Sequence, residues 1–124
     1  MQFKIDTKEK IVIFRLEETT LNAKMSDELE SVIGNVPGLA EKNLILDLHS
    51  LESADASGLK AIFTAYNRQY ERGLSAAIAG LNTTLTTALT GAYPEMLNVV
   101  PTESEAIDMV MMEDFERELD LGSE

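Results

Sequence analysis

The sequence predicts a single α/β domain, a mixed sheet of four or five strands with about four helices packed on it. Three observations predict it. The chain opens with two short strand-like segments joined by a polar turn, the pattern of a hairpin. Segments of helical period then alternate with brief, almost unbroken apolar runs, as in a parallel sheet buried on both faces. The resulting order, β-β-α-β-α-β-α-β-α, puts a hairpin before repeated strand–helix units, which argues for a mixed sheet. A length of 124 residues with 44% hydrophobic content suits one core.

Residues 3–6 and 11–16 are the hairpin strands, with the polar Thr7-Lys8-Glu9-Lys10 between them. Phe3 and Ile5 alternate with polar residues, and Ile11, Val12 and Ile13 are the β-branched types that strands favour. From about Asn22 the period changes. Met25, Leu29, Val32 and Ile33 recur at helical spacing, and Gly34, Pro37 and Gly38 end that helix. Residues 43–48 form the next strand, nearly all apolar. A second helix runs from about residue 57 to 72, with Leu59, Ile62, Phe63, Tyr66 and Tyr70 as its apolar stripe. Gly73 follows where a C-terminal cap belongs.

Residues 75–79 are a short buried strand whose small side chains let helices lie close to the sheet. Asn82 caps a third helix that turns Leu85, Ala88, Leu89 and Ala92 to one side, and Pro94 limits it. Residues 98–100 are a strand closed by Pro101. Thr102 caps a fourth helix, with Glu103 and Glu105 near its positive end and Ala106, Ile107, Val110 and Met111 as its core stripe. The acidic end either extends this helix through Phe115 and Leu119 or frays. The domain is therefore drawn at residues 1–112, with 113–124 as an acidic helix extension or tail.

Charge excludes several functions. The formal net charge is −12, of which −5 falls from Glu113 onward. Such a surface repels nucleic-acid phosphates and anionic membranes, so neither nucleic-acid binding nor membrane insertion is expected. The acidity either aids solubility or meets a basic protein surface. There is no cysteine, which removes disulfides and thiolate chemistry. Residues 1–10 lack the pattern of a secretory leader, and no apolar run approaches the roughly 18 residues of a membrane span. A soluble cytoplasmic domain is expected.

Enzymatic and metal constellations are sparse. His49 is the single histidine, so any Ser-His-Asp arrangement would have to use it, with Asp47 or Asp55. A lone histidine at a strand end is more often a surface polar residue. Neither phosphate-binding glycine loop, GxxxxGK[ST] or GxGxxG, occurs, and no cofactor is expected. Met109 and Met112 fall off the core stripe of the last helix, where they either meet a partner or pack under a neighbouring segment. Thr83, Thr84, Thr86 and Thr87 read as a helix entry with solvated polar surface.

One segment is more specific: Leu44-Ile45-Leu46-Asp47-Leu48, then His49 to Ala54, then Asp55-Ala56-Ser57-Gly58-Leu59. A buried strand ending in an aspartate runs through a short loop into an Asp-x-Ser-Gly-Leu helix start. This resembles the STAS family, the sulfate transporter and anti-sigma-factor antagonist domains. Ala56 stands where serine is common in that family. The resemblance extends to Leu21-Asn22-Ala23 before the first helix and to Ala79-Gly80-Leu81. It also takes in the stretch from Met96-Leu97 to Pro101-Thr102-Glu103-Ser104-Glu105-Ala106, so that it covers residues 3–112.

The resemblance implies a STAS fold and a protein-binding switch, not an enzyme. Ser57 would be the phosphorylated residue, and Asp55, Ala56, Ser57, Gly58 and Lys60 the partner-binding surface. The implied partners are an anti-sigma factor that is also a serine kinase, with a histidine-kinase-like ATPase fold, and a serine phosphatase. ATP and magnesium would belong to the kinase. The alternative is a non-switching STAS subunit of a membrane transport system; a small enzyme using His49 is a further one. From the residues alone, Ser57 and Asp55 are each equally a helix cap. Gly58 either admits a partner's backbone or answers a packing need at the helix start. Asp47 ends the strand and braces the loop, and Leu59 is core.

Overall fold

A computed structural model describes residues 1–96 and 98–122. Leu97, in the Met96-Leu97 stretch quoted above, and Ser123 and Glu124 of the acidic end lie outside the described residues. The strands are β1 (Phe3–Thr7), β2 (Ile11–Leu16), β3 (Thr20–Leu21), β4 (Asn43–Asp47), β5 (Ser53–Ala54), β6 (Ala76–Ala79) and β7 (Val99–Val100). The helices are α1 (Ala23–Gly34), α2 (Ala56–Glu71), α3 (Thr83–Ala92) and α4 (Glu103–Gly122). Among the described residues the main sheet has five strands in the order β1-β2-β4-β6-β7; β1 is antiparallel to β2 and the other pairs are parallel. This is the mixed α/β arrangement that the sequence predicts.

The alternation along each strand divides the core in two. Val12, Phe14 and Leu16 of β2 and Leu44 and Leu46 of β4 pack with Leu29 and Ile33 of α1, Ile62 of α2 and Leu89 of α3. Ile11, Ile13 and Ile45 point the other way with Ala77 and Ala79, and α4 covers them with Ala106 and Val110. All five residues of β4 are buried, as a strand covered on both faces requires. Among the described residues, three helices therefore lie on one face of the sheet and α4 alone on the other. None of the helices among the described residues is long and apolar enough to cross a membrane.

Several details differ from the sequence reading. A second, two-stranded sheet pairs β3 with β5 in parallel, and a turn of 3-10 helix spans Leu39–Glu41. Two-residue strands are too short to show a period. α3 buries Leu85 and Leu89, whereas Ala88 and Ala92 are exposed. α2 starts one residue earlier than expected, at Ala56. Its far end is tied down by Gln69, which is buried and donates its side-chain N–H groups to the carbonyls of Leu39 and Lys42.

The acidic end continues α4 without a break to Gly122. Polar pairs hold this second half. Lys10 Nζ donates to Asp114 at 3.0 Å and to Glu118 at 2.7 Å. Arg117 donates to Ser75 Oγ at 2.6 Å and to Asn43 Oδ1 at 3.3 Å. Glu113 accepts from the Tyr70 hydroxyl and from Asn98, each at 2.8 Å. Phe115 and Leu119 are part of this extension and are exposed.

Charge-assisted hydrogen bonds at a partly buried site are each worth about 1.5–3 kcal/mol. Arg117→Ala is expected to destabilise the chain by about 1–3 kcal/mol in denaturant unfolding. Amide exchange should quicken in residues 113–120 and stay slow in β4. Unchanged protection around residue 117 would show that the helix end needs no anchor.

Candidate functional site

The small β3–β5 sheet is what assembles the site. Its register sets Thr20 opposite Ser53 and Leu21 opposite Ala54. Each strand then runs straight into a helix cap. Asn22 accepts the Met25 N–H at 3.0 Å at the start of α1, and Asp55 accepts the Gly58 N–H at 2.9 Å at the start of α2. The Asp55 N–H donates to the Leu21 carbonyl at 3.2 Å. Two helix N-termini, each with unpaired N–H groups and a partial positive charge, therefore open side by side.

Within this arrangement Asp55, Ala56, Ser57 and Lys60 are exposed. Ser57 is the second residue of α2, and Asp55 makes the capping bond, so the Ser57 hydroxyl is not used as the cap. The N–H groups of Ala56 and Ser57 have no intrahelical acceptor, as the first turn of any helix dictates. A shallow groove between α1 and α2 places Ser57 and Lys60 beside Ala23, Ser26, Asp27 and Glu30. The residues from α1 were not anticipated from the sequence. The signal available was the pair of capped starts, Asn22 and Asp55, whose adjacency only the β3–β5 pairing creates.

Gly58 meets a packing need at the helix start. It is buried, and a Cβ there would lie 2.6 Å from the Leu21 carbonyl oxygen and 3.2 Å from Ala54 Cβ. The close approach it permits within the chain is between α2 and β3. Removing the side chain is what allows the two helix starts to sit so near each other.

A second polar cluster braces the loop that leads to α2. Asp47, buried at the end of β4, accepts the His49 backbone N–H at 3.1 Å through Oδ1, and His49 Nδ1 lies 2.8 Å from the same oxygen. Arg15 donates to Glu103 through Nε and Nη2, at 2.6 and 2.9 Å. Burial pushes the Asp47 carboxyl up, its hydrogen bond with Glu103 adds to this, and the contacts with His49 oppose it. Arg15 first, then Asp47, holds Glu103 down from 4.5 to about 2. Asp47 thus does what the sequence suggests, ending the strand and fixing the loop. The His49 side chain is largely exposed, while its Cβ and backbone lie against Gly80, where a Cβ would be 2.8 Å from the His49 Cβ.

The family model for the STAS domain matches residues 2–106. An anti-sigma factor antagonist from Mycobacterium paratuberculosis superimposes with a TM-score of 0.73 at 19% identity, covering 89% of this chain and 93% of that one. The Bacillus cell fate determinant SpoIIAA in its phosphorylated form gives 0.66 at 18% identity, covering 88% and 99%. The murine anion transporter Slc26a9 gives 0.68 at 17% identity; the match covers 82% of this chain but 18% of the transporter. At these identities the structural likeness speaks for the fold. A comparison with curated protein sequences gave no significant match.

Gly58→Ala is expected to cost about 1–3 kcal/mol, because the clash is with a backbone carbonyl that cannot rotate away. A thermal melt unchanged from the parent would show that the helix starts have slack. The Glu103 carboxylate, with its folded value depressed, stabilises the fold fully above about 4.5 and loses that contribution as pH falls towards about 2. Asp47, shifted upward, has the opposite sign: its ionisation with rising pH costs stability. Glu103→Gln should therefore lose less melting temperature than the parent between those two pH values. Parallel acid limbs in the two proteins would refute the assignment.

Proposed function

We propose that this chain, which belongs to the STAS domain family, is a phosphorylation-controlled protein-binding switch of the anti-sigma-factor antagonist type. Unphosphorylated, its helix-start surface docks an anti-sigma factor that is also a serine kinase of the histidine-kinase-like ATPase fold. Phosphate on Ser57 ends that docking, and a serine phosphatase restores it. The work is binding, carried out in the cytoplasm, and the chemistry belongs to the partners.

The observation that carries this reading is the exposure of Ser57 on a helix whose cap is already supplied by Asp55. A serine that capped the helix would be structurally committed; this one is not. Phosphate there adds about −1.5 to −2 charges at the positive end of a helix, within reach of Lys60 one turn on, so α2 tolerates it. The groove beside it already holds Asp27 and Glu30, so the same phosphate makes the docking face much more negative. A partner that had desolvated this face would bury an uncompensated dianion, which costs several kcal/mol. About 3 kcal/mol is already about a hundredfold in affinity. Asp55, Ala56, Ser57 and Lys60 form the contact face, and Gly58 supports it from beneath.

A transport-subunit role is the second reading, favoured by the likeness to Slc26a9. It gives no use to a free hydroxyl at this position. Intact-mass measurement after incubation with the cognate kinase and ATP should show one added phosphate, absent in Ser57→Ala. Ser57→Asp should melt close to the parent, since an acid in a first helical turn is worth about 0.3–1 kcal/mol in its favour. Titration calorimetry should nevertheless show weaker kinase binding for it, and parent-like or longer-lived binding for Ser57→Ala. Tight kinase binding by Ser57→Asp, or phosphate retained in Ser57→Ala, would sink the switch.

A further inference from the structure

We propose that the outward face of α4 is a docking site for a cationic amphipathic helix of a protein partner, separate from the Ser57 surface. Met112, Phe115 and Leu119 are 63%, 58% and 55% exposed. Their spacing of three and four residues puts them on one stripe. They are not idle side chains of a loose end. The opposite side of the same helix is held by Val110 in the core and by the contacts of Glu113, Asp114 and Arg117, so the stripe cannot turn inward. This region of α4 also lies beyond residue 106, where the family match ends. A pinned helix offering a two-turn apolar row is the geometry that helix-to-helix recognition uses, and methionine in the row adapts to its counterpart.

Charge decides the occupant. Asp108 lies one turn before Met112 and Glu116 one turn after it, and both are exposed. A second copy of the chain would bring these carboxylates against their own copies, between two molecules of net charge −12. An anionic membrane surface would be repelled in the same way. A helix whose apolar stripe is bordered by lysine or arginine covers the hydrophobic row and pairs the flanking acids together. The stripe lies across the sheet from Ser57. α4 packs on the Ile11, Ile13 and Ile45 face, and its second half meets Lys10 and Asn43, where β2 and β4 begin. Ser57 sits on the α1–α2 face, beyond the strand ends. Both surfaces are accessible at once.

The test uses the full chain, isotope-labelled, with two designed helical peptides that share one leucine stripe; one has lysine flanks and the other glutamate flanks. The lysine peptide should move the amide resonances of residues 108–120, and the glutamate peptide should not. Phe115→Ser should weaken the lysine peptide by about tenfold or more without lowering the melting temperature, since the ring is exposed. Glu116→Lys should weaken it as well. Ser57→Asp should leave it unchanged, which separates this surface from the switch. Equal binding of both peptides, shifts centred elsewhere, or full affinity in Phe115→Ser would overturn the proposal. A concentration-dependent dimer in sedimentation, abolished by Phe115→Ser, would overturn it in favour of a second copy.

Discussion

A strand with no exposed face sets the terms for this molecule. Every residue of β4 is buried, so the sheet must be roofed on both sides. On one side α1, α2 and α3 share the task around a large mixed core. On the other, α4 works alone over a smaller patch of isoleucine and alanine. The small Ala77 and Ala79 let α4 lie low, but they give it little apolar area to grip. That shortage explains why the far half of α4 is secured by Lys10, Arg117 and Glu113 instead. Hydrogen bonds to charged groups carry the part of the load that hydrophobic burial there cannot.

The same strand governs the face on which we place partner binding. β4 ends in Asp47, whose carboxylate turns the chain by taking the His49 N–H. The loop then reaches β5, whose pairing with β3 aligns two helix starts. Nothing in this construction depends on Ser57, whose hydroxyl is left outside the capping network. A position can be modified reversibly only if the fold does not need it. The need is carried by Asp55 and Gly58, one fixing the first turn and the other allowing the turn to approach β3.

The elements with a clear period were legible in the sequence. The hairpin, the buried apolar run of β4 and the capped starts of α3 at Asn82 and α4 at Thr102 follow from alternation, helical spacing and cap chemistry. β3 and β5 were not, because two residues make no period and their pairing is a tertiary event. The residues around Ser57 left its role open, since Asp55 and Ser57 are equally good cap types. Only the observed bond to the Gly58 N–H assigns the cap to Asp55. The resemblance to the STAS family pointed to Ser57, and the burial of Gly58 could not be guessed from it. The acidic end is the least legible stretch. One arginine, Arg117, sits among six acids and passes for surface charge, yet it reaches Ser75 and Asn43. Phe115 and Leu119 lie on the extended helix, with their apolar side chains exposed.

The two ends of α2 carry a mechanical consequence. Its first turn is wedged against Leu21 through Gly58, and its last turn is tethered by Gln69 to the carbonyls of Leu39 and Lys42. A rod fixed at both ends makes a poor lever. A charge added near its tip has no tilt or slide by which to reach the distant side of the sheet. On the switch we propose, a mark at residue 57 is therefore read by direct touch and not by a change of shape elsewhere.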